Sequence, residues 1–459
     1  MQHMNAPEIA AWKPDVVPAP ESRPLEIAQD AMRAADCWTA GQQMGRRWPM
    51  GCVALEITQR CNLDCTLCYL SEHSEAVKDI PLEEVFRRID LIVQYYGANT
   101  DVQITGGDPT LRKRDELIAI VRRVRAAGLR PTLMTNGRRA TRALLEELAA
   151  AGLVDVAFHV DTTQGIKGYR NEMELNALRL AYLDRVRGLP LSVMFNTTVH
   201  DGNLDELPRL AAFFAAQAGR VRTASFQAQA ATGRGVHEKQ REISLDAVTS
   251  QIERGVGGKL NFDAVTAGHP RCNRYSLSFA VNGRLYDALD DGDFIARMQV
   301  ATAHLALDRN YPRRTAAAFL RWLCRHPRYW GAILRWSARK AWRMRNDLLA
   351  ARGRIRTLSF FVHGFMDAGA LERERIDACA FKTMTRDGPV SMCMHNAKRD
   401  SFILQPIVMH TSEGRRYWQP LSGTLAREPA GAQPLDSRPA DRKRAKGRAR
   451  SADFARAPS

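Results

Sequence analysis

Several features are missing from this sequence, and each absence removes a class of protein. No uncharged apolar run approaches the roughly 20 residues that a membrane-spanning helix needs. No segment joins a charged start, an apolar middle and a small-residue cleavage site, so a secretory signal is not expected. Cysteine is sparse and odd in number, nine in 459 residues. That argues against a secreted disulfide framework and for reduced thiols in the cytoplasm. Acidic residues are outnumbered, 50 against 67 Lys and Arg, and the net charge is +17. An anionic partner is therefore worth seeking among nucleic acids, acidic substrates and membrane surfaces, although part of the surplus lies in the C-terminal tail.

What is present begins with a rhythm. After an irregular stretch over residues 1–50, short apolar or β-branched runs recur at "VALEIT" (53–58), "DVQIT" (101–105), "RPTLMT" (130–135), "VDVAFHVD" (154–161), "LSVMFNTTV" (191–199) and "TASFQAQA" (223–230). Helical periodicity fills 81–96, 111–127, 139–151, 171–187 and 204–217 between them. Pro81 suits a helix start, and Gly128, Gly152 and Gly188 fall where helices should stop. Strands alternating with helices predict parallel strands joined by right-handed crossovers. Six such units over 51–235 make an α/β fold, a partial (β/α)6 barrel, with chemistry expected at the C-terminal strand ends.

The sparse cysteines are unevenly spent. Three of them, Cys61, Cys65 and Cys68, crowd into "RCNLDCTLCY" just past the first predicted strand, with no fourth nearby. A disulfide reading fails on parity and compartment. A structural zinc site wants a fourth Cys or His, for which His73 is near enough to compete. The remaining reading is an iron–sulfur cluster bound by three thiolates, with one iron left for an exogenous ligand.

The spacing C-x3-C-x2-C followed by Tyr69 resembles the radical S-adenosylmethionine (SAM) superfamily. The resemblance implies a catalytic [4Fe-4S] cluster on Cys61, Cys65 and Cys68, whose open iron is chelated by SAM. It also implies a 5′-deoxyadenosyl radical that abstracts hydrogen, and an electron donor such as flavodoxin or ferredoxin. Further pieces fall at strand ends as the family requires. "TGGDPT" (105–110) looks like the family's Gly-Gly-Glu element with Asp in place of Glu, so Gly106, Gly107 and Asp108 are candidates for the methionine ammonium. Asn136 lies in "TNG", and Asp161 in "HVD" could hold the ribose hydroxyls. His159 stands where a Ser is often seen. Asn196 and Gln227 on the fifth and sixth strands complete the cofactor-binding set, although turn chemistry and inward packing explain each piece taken singly.

Beyond residue 235 the pattern changes. Residues 236–300 form a connector with Cys272 and a hairpin, "FAVNGRLY" (279–286), turning on Asn-Gly. Residues 358–423 form an α+β extension in which Cys379 and Cys393 flank a "TRDGPV" turn. Isolated free cysteines are ordinarily buried small hydrophobes. The order of these motifs, however, is similar to a radical SAM branch that includes tetraether lipid synthase and archaeal pterin methylase-like proteins. That likeness implies an auxiliary iron–sulfur cluster on Cys272, Cys379 and Cys393, with a fourth ligand open among Cys37, Cys52, Cys324 and an exogenous group.

The segment 301–357 is the most unusual in composition. Within 313–356 stand thirteen Lys and Arg, one acid (Asp347) and half of the tryptophans, Trp322, Trp330, Trp336 and Trp342. Pro327 should divide it into two helices. Ordinary packing on the barrel competes with an interfacial role at an anionic membrane, on the inner face. Nucleic acid is the weaker option, since no matching fold motif accompanies the charge. Residues 424–459 read as a disordered basic tail. The function expected is a radical SAM enzyme, transferase or oxidoreductase in type, forming a C–C bond or transferring methyl on a lipid or other hydrophobic substrate. A peptide- or pterin-modifying enzyme is the alternative, and a metal-containing nucleic-acid-binding protein the non-enzymatic one.

Overall fold

The computed structural model describes residues 3–14, 30, 33–34, 51–235, 241–305 and 311–429. Cys37 and most of the basic tail lie outside the described residues. Six strands follow the expected runs: β1 (Cys52–Thr58), β2 (Asp101–Gly106), β3 (Arg130–Thr135), β4 (Asp155–His159), β5 (Ser192–Val199) and β6 (Thr223–Ala228). They pair in sequence order and in parallel. Helices cover the outer face, as parallel sheets demand. The Leu82–Tyr96 helix shows how: Val85, Ile89, Ile92 and Tyr96 recur at helical spacing and are all buried. Burying an aliphatic chain of that size contributes about 1.5–3 kcal/mol.

Period-2 alternation sorts the strand side chains into two environments. Outward residues build the sheet–helix core, where Phe158, Phe195, Phe214, Phe226 and Phe360 form a continuous chain of rings with centroids 5.7–6.5 Å apart. Truncating a central member such as Phe195 to Ala should cost about 3–5 kcal/mol. Inward residues are mostly polar, and they carry the site.

The C-terminal part does more than extend the barrel. The predicted hairpin is present as β7 (Asn273–Val281) and β8 (Arg284–Asp287), with Asn282 and Gly283 both at positive φ, as a tight two-residue turn requires. Strand β9 (Arg356–Gly364), however, slots between β6 and β7, parallel to β6. On the opposite edge β10 (Phe381–Met384) lies parallel to β1 and carries β11 (Pro389–Ser391). Eight parallel strands, β10-β1-β2-β3-β4-β5-β6-β9, thus form the centre of an eleven-stranded sheet. The six-unit reading missed β9 and β10 because both arrive from distant sequence to cover exposed sheet edges. A separate three-stranded sheet holds β12 (Ile407–Thr411), β13 (Gly414–Trp418) and β14 (Leu425–Ala426). The basic segment forms two helices, Pro312–Arg325 and Trp330–Ala350, separated by a turn at Pro327–Tyr329.

Candidate active site

The three-cysteine loop leaves the C-terminal end of β1, and the ends of four other strands hold it. From β2, Gly107 N donates to Thr58 O (2.9 Å) and Asp108 N to Arg60 O (2.8 Å). From β3, Asn136 Nδ2 donates to Asn62 Oδ1 (2.7 Å) and lies 3.9 Å from Cys61 Sγ. Past β4, Thr163 O accepts from Thr66 N (2.8 Å), and past β6, Arg234 N donates to Leu70 O (2.8 Å). Cys61, Cys65 and Cys68 remain partly exposed on this fixed loop.

Glycine at 106 and 107 is explained by this clamp. A Cβ on Gly106 would stand 1.9 Å from Thr58 O, and one on Gly107 2.0 Å from Arg60 O. The close approach that requires glycine here is therefore to the stem of the cysteine loop, where the sequence suggested a ligand. Asp108 is likewise redirected. Its carboxylate is fully buried and accepts from Thr110 N (3.0 Å), Thr110 Oγ1 (2.5 Å), Thr135 Oγ1 (2.9 Å) and Asn136 N (2.9 Å). Those bonds tie the end of β2 to β3. Asp161 repeats the arrangement one strand pair later. It too is fully buried, and accepts from Thr163 N (3.0 Å), Thr163 Oγ1 (2.5 Å) and Thr198 N (2.8 Å). Its remaining partner is His159, with Nε2 2.6 Å from Asp161 Oδ2. Both expected ligand groups therefore act as braces in this structure, and D-x-T was the sequence signal for it.

His159 and Asn196, adjacent in the β4–β5 register, lie 3.1 Å apart through Nδ1 and Nδ2. Gln227 and His363 pair in the β6–β9 register, with Oε1 and Nε2 3.3 Å apart. A polar row thus crosses the barrel interior over four strands. Burial opposes the charged form of His159, yet Asp161 holds its pKa above the ordinary value. His363, without such a carboxylate, is pushed down to about 4 by burial and by His159.

Two arginines that sequence reasoning missed support the cysteine loop. Arg234 is wholly buried, ion-paired to Glu75 at 2.9 Å, while its Nε and Nη2 meet no protein acceptor. Burial alone would lower its pKa, but the charges of Cys68 and Glu75 raise it. Arg399, from the C-terminal extension, donates to both Glu56 oxygens at 2.9 Å and lies 4.8 Å over the Tyr69 ring. Tyr69 in turn donates to Gly106 O at 2.5 Å. Despite its burial Glu56 is held at about 2, chiefly by Arg399 and His395. A Glu inside a strand buried at all seven positions was the available signal.

The donor set suits a cluster better than an ion. Among the described residues no three Cys, His, Asp or Glu side chains converge tightly enough to hold a single metal ion. His73, the competing zinc ligand, is turned to Asp400 at 2.8 Å. Three partly exposed thiols beside a buried arginine with unpaired donors fit an anionic thiolate cluster.

Comparison with known proteins agrees. The family model for the radical SAM superfamily matches residues 55–214. These residues are a radical SAM domain. For this stretch of the chain the match implies the family's [4Fe-4S] cluster and SAM as cofactors. The chain is 30% identical over 225 residues to the PqqA peptide cyclase of Xanthomonas euvesicatoria pv. vesicatoria (strain 85-10), covering 47% of this chain and 59% of that one. It is 33% identical over 162 residues to the PqqA peptide cyclase of Bradyrhizobium diazoefficiens, covering 34% and 41% respectively. The chain thus spans under two thirds of these relatives' length. These relatives replace the narrower likeness to tetraether lipid synthase expected above. Among solved structures, Streptococcus suis SuiB bound to S-adenosylmethionine is similar over 44% of this chain and 46% of its own, at TM-score 0.34 and 15% identity.

At the opposite end of β1 a second group of thiols gathers. Cys379 lies close enough to Cys52, Cys272 and Cys393 for their charges to interact. Four contacts surround these thiols. Cys52 is in register with Phe381, two residues from Cys379. A Cβ on Gly268, in the loop leading to Cys272, would stand 2.6 Å from Ala378 O. Met366 N donates to Cys393 Sγ at 3.4 Å, and Arg375 Nε donates to Cys272 Sγ at 3.3 Å. Cys324 is apart from them, exposed on the Pro312–Arg325 helix.

Proposed function

We propose that this enzyme modifies a peptide, with Cys61, Cys65 and Cys68 holding the catalytic cluster at the C-terminal mouth of the barrel. The observation that carries the radical reading is the three-thiol loop clamped by the ends of β2, β3, β4 and β6. When bound, the cluster and SAM supply a 5′-deoxyadenosyl radical. The protein's own share is placement: Asn136 steadies the loop, Tyr69 and Gly106 join it to β2, and Arg234 offsets thiolate charge. Asn196 and Gln227 on the interior row orient cofactor or substrate, with Asp108 and Asp161 fixing the strand ends around them. A one-electron donor of the flavodoxin or ferredoxin kind would complete turnover.

A peptide substrate is supported by the relatives' name, PqqA peptide cyclase, which favours it over the lipid expected from composition. The same reading includes an auxiliary cluster, now with Cys52 as the fourth ligand beside Cys272, Cys379 and Cys393. Donors already aimed at two of these sulfurs, Met366 N and the Arg375 guanidinium, are what a thiolate ligand set uses. The test is anaerobic reconstitution with dithionite as reductant and 5′-deoxyadenosine as readout. A low-mass peptide fraction from the producing cells should stimulate its release above the basal rate, and a lipid extract should not. Stimulation by the lipid extract alone would return the substrate to the lipid class.

A further inference from the structure

The Trp330–Ala350 helix is apolar on two opposite faces, and only one of them is used. The used face packs on the β7–β8 hairpin and the Gly292–Ala301 helix. Trp336 stacks on Phe294 at 5.5 Å and meets Phe279 at 6.2 Å. Lys340, 3% exposed, pairs with Asp290 at 2.6 Å, and Asp347 accepts from Asn282 at 2.9 Å and from Tyr286. The segment's one acid is therefore spent inward.

The other face carries Trp330, Leu334, Ala338, Ala341 and Leu349, with Trp342 beside them; the three- and four-residue spacing of this stripe passes through Arg345 between Ala341 and Leu349. At 1.5 Å per residue it runs about 28 Å. Trp330 is 48% exposed, Leu334 67%, Trp342 69% and Leu349 79%. Arg345 stands within the stripe, 4.3 Å over the Trp342 ring, Arg335 follows Leu334 on the same helix, and Arg321, Arg325 and Arg328 belong to the preceding helix and turn; none of the five has a carboxylate partner among the described residues. The preceding helix is locked at a fixed angle, since Trp322, 4% exposed, packs on Phe319, His326 and Tyr329. No helix among the described residues is long and apolar enough to cross a membrane.

We infer that this stripe lies on an anionic lipid surface, with Trp330, Leu334, Trp342 and Leu349 in the headgroup–acyl boundary and the flanking arginines on lipid phosphates. Trp330 also ties the two helices together, its indole N–H donating to Leu323 O at 2.8 Å, but Leu334, Trp342 and Leu349 have no such folding reason to lie on this face. Unpaired arginines within and beside the stripe specify the charge of what covers it, and an exposed helical stripe fits a flat surface better than it fits a peptide, which wants a groove. This docking is independent of the substrate reading.

The test uses the full chain with vesicles of phosphatidylcholine alone, or with about one third phosphatidylglycerol. Binding should favour the anionic vesicles and weaken with salt, as the Debye length falls from about 8 Å at physiological ionic strength to about 3 Å at 1 M. The combined Trp330→Ala, Trp342→Ala and Leu349→Ala variant keeps every cation, the tail included, yet should bind at least about tenfold more weakly, because the buried apolar area is gone. Vesicles with brominated acyl chains should also quench part of the wild-type tryptophan fluorescence, a readout that needs no variant. Undiminished binding by the variant, or no quenching, would overturn the inference. So would a wild-type dimer that the variant turns into a monomer, which would assign the stripe to a second copy. Loss of peptide-stimulated turnover in the variant with vesicle binding intact would instead assign the stripe to the substrate.

Discussion

The two ends of strand β1 carry two groups of thiols built in opposite ways. At its C-terminal end Cys61, Cys65 and Cys68 come from one short loop and stay partly exposed. At its N-terminal end Cys52, Cys272, Cys379 and Cys393 come from four separate segments, and Cys52, Cys379 and Cys393 are buried. The first group needs only local chain geometry plus clamping. The second exists only because β9 and β10 return to the barrel edges. One is a motif, the other a consequence of topology.

That contrast can be broken most sharply at the loop. Cys61→Ala, Cys65→Ala or Cys68→Ala should each abolish 5′-deoxyadenosine formation, measured chromatographically after reconstitution. Retained cleavage in the triple variant would leave the catalytic assignment without support.

The distant group should show a smaller and different loss. The wild-type chain should bind about eight iron atoms, two cubanes, and the variant lacking Cys52, Cys272, Cys379 and Cys393 about half of that while still cleaving SAM. Cys52→Ala alone should lower iron content, and Cys324→Ala should not. The reverse order would show that the gathering of Cys52 has no bearing on metal binding.

Beside the first group, Arg399 joins the C-terminal extension to β1. Arg399→Ala leaves the Glu56 carboxylate buried without its partner, and the expected destabilisation is about 3–5 kcal/mol by denaturant unfolding. Arg399→Lys should recover part of that but not the flat contact with Tyr69. A loss below about 1 kcal/mol in the Ala variant would mean water replaces the guanidinium.

The smallest effect is a pH dependence. Glu56 is held at about 2 in the folded chain, against an ordinary value of 4.5. A depressed carboxyl stabilises the fold fully above its unfolded value and loses that contribution as the pH falls through the folded one. The stability gap between wild type and Glu56→Gln should therefore be constant near neutrality, narrow below about pH 4.5 and close near pH 2. A gap unchanged at pH 3 would show that Glu56 is not ionised in the folded protein.

Much of this was legible in sequence because it depends on short-range pattern. The six parallel strands, their helices and the thiol loop rest on periodicity and spacing within a few dozen residues. The hairpin at Asn282-Gly283 rests on a two-residue turn preference, and the Pro327 break on a missing N–H. Asp108 and Asp161 were noticed for their place at strand ends, and the structure adds that each also braces the neighbouring strand. A carboxylate at a strand end looks alike from sequence whether it faces a ligand or braces the next strand, and only the donors around it decide.

By itself, then, the sequence determined the barrel's repeating units, the three thiols past β1 and the concentration of tryptophan and arginine in 313–356. Tertiary structure alone decided that β9 and β10 complete the sheet, that Cys52 joins Cys379, that Arg399 reaches Glu56, and that one stripe of the basic segment is left uncovered. The reason is physical. Periodicity encodes which faces must be buried, but what covers each face depends on contacts between residues hundreds of positions apart, and those are set by the packing of the whole chain.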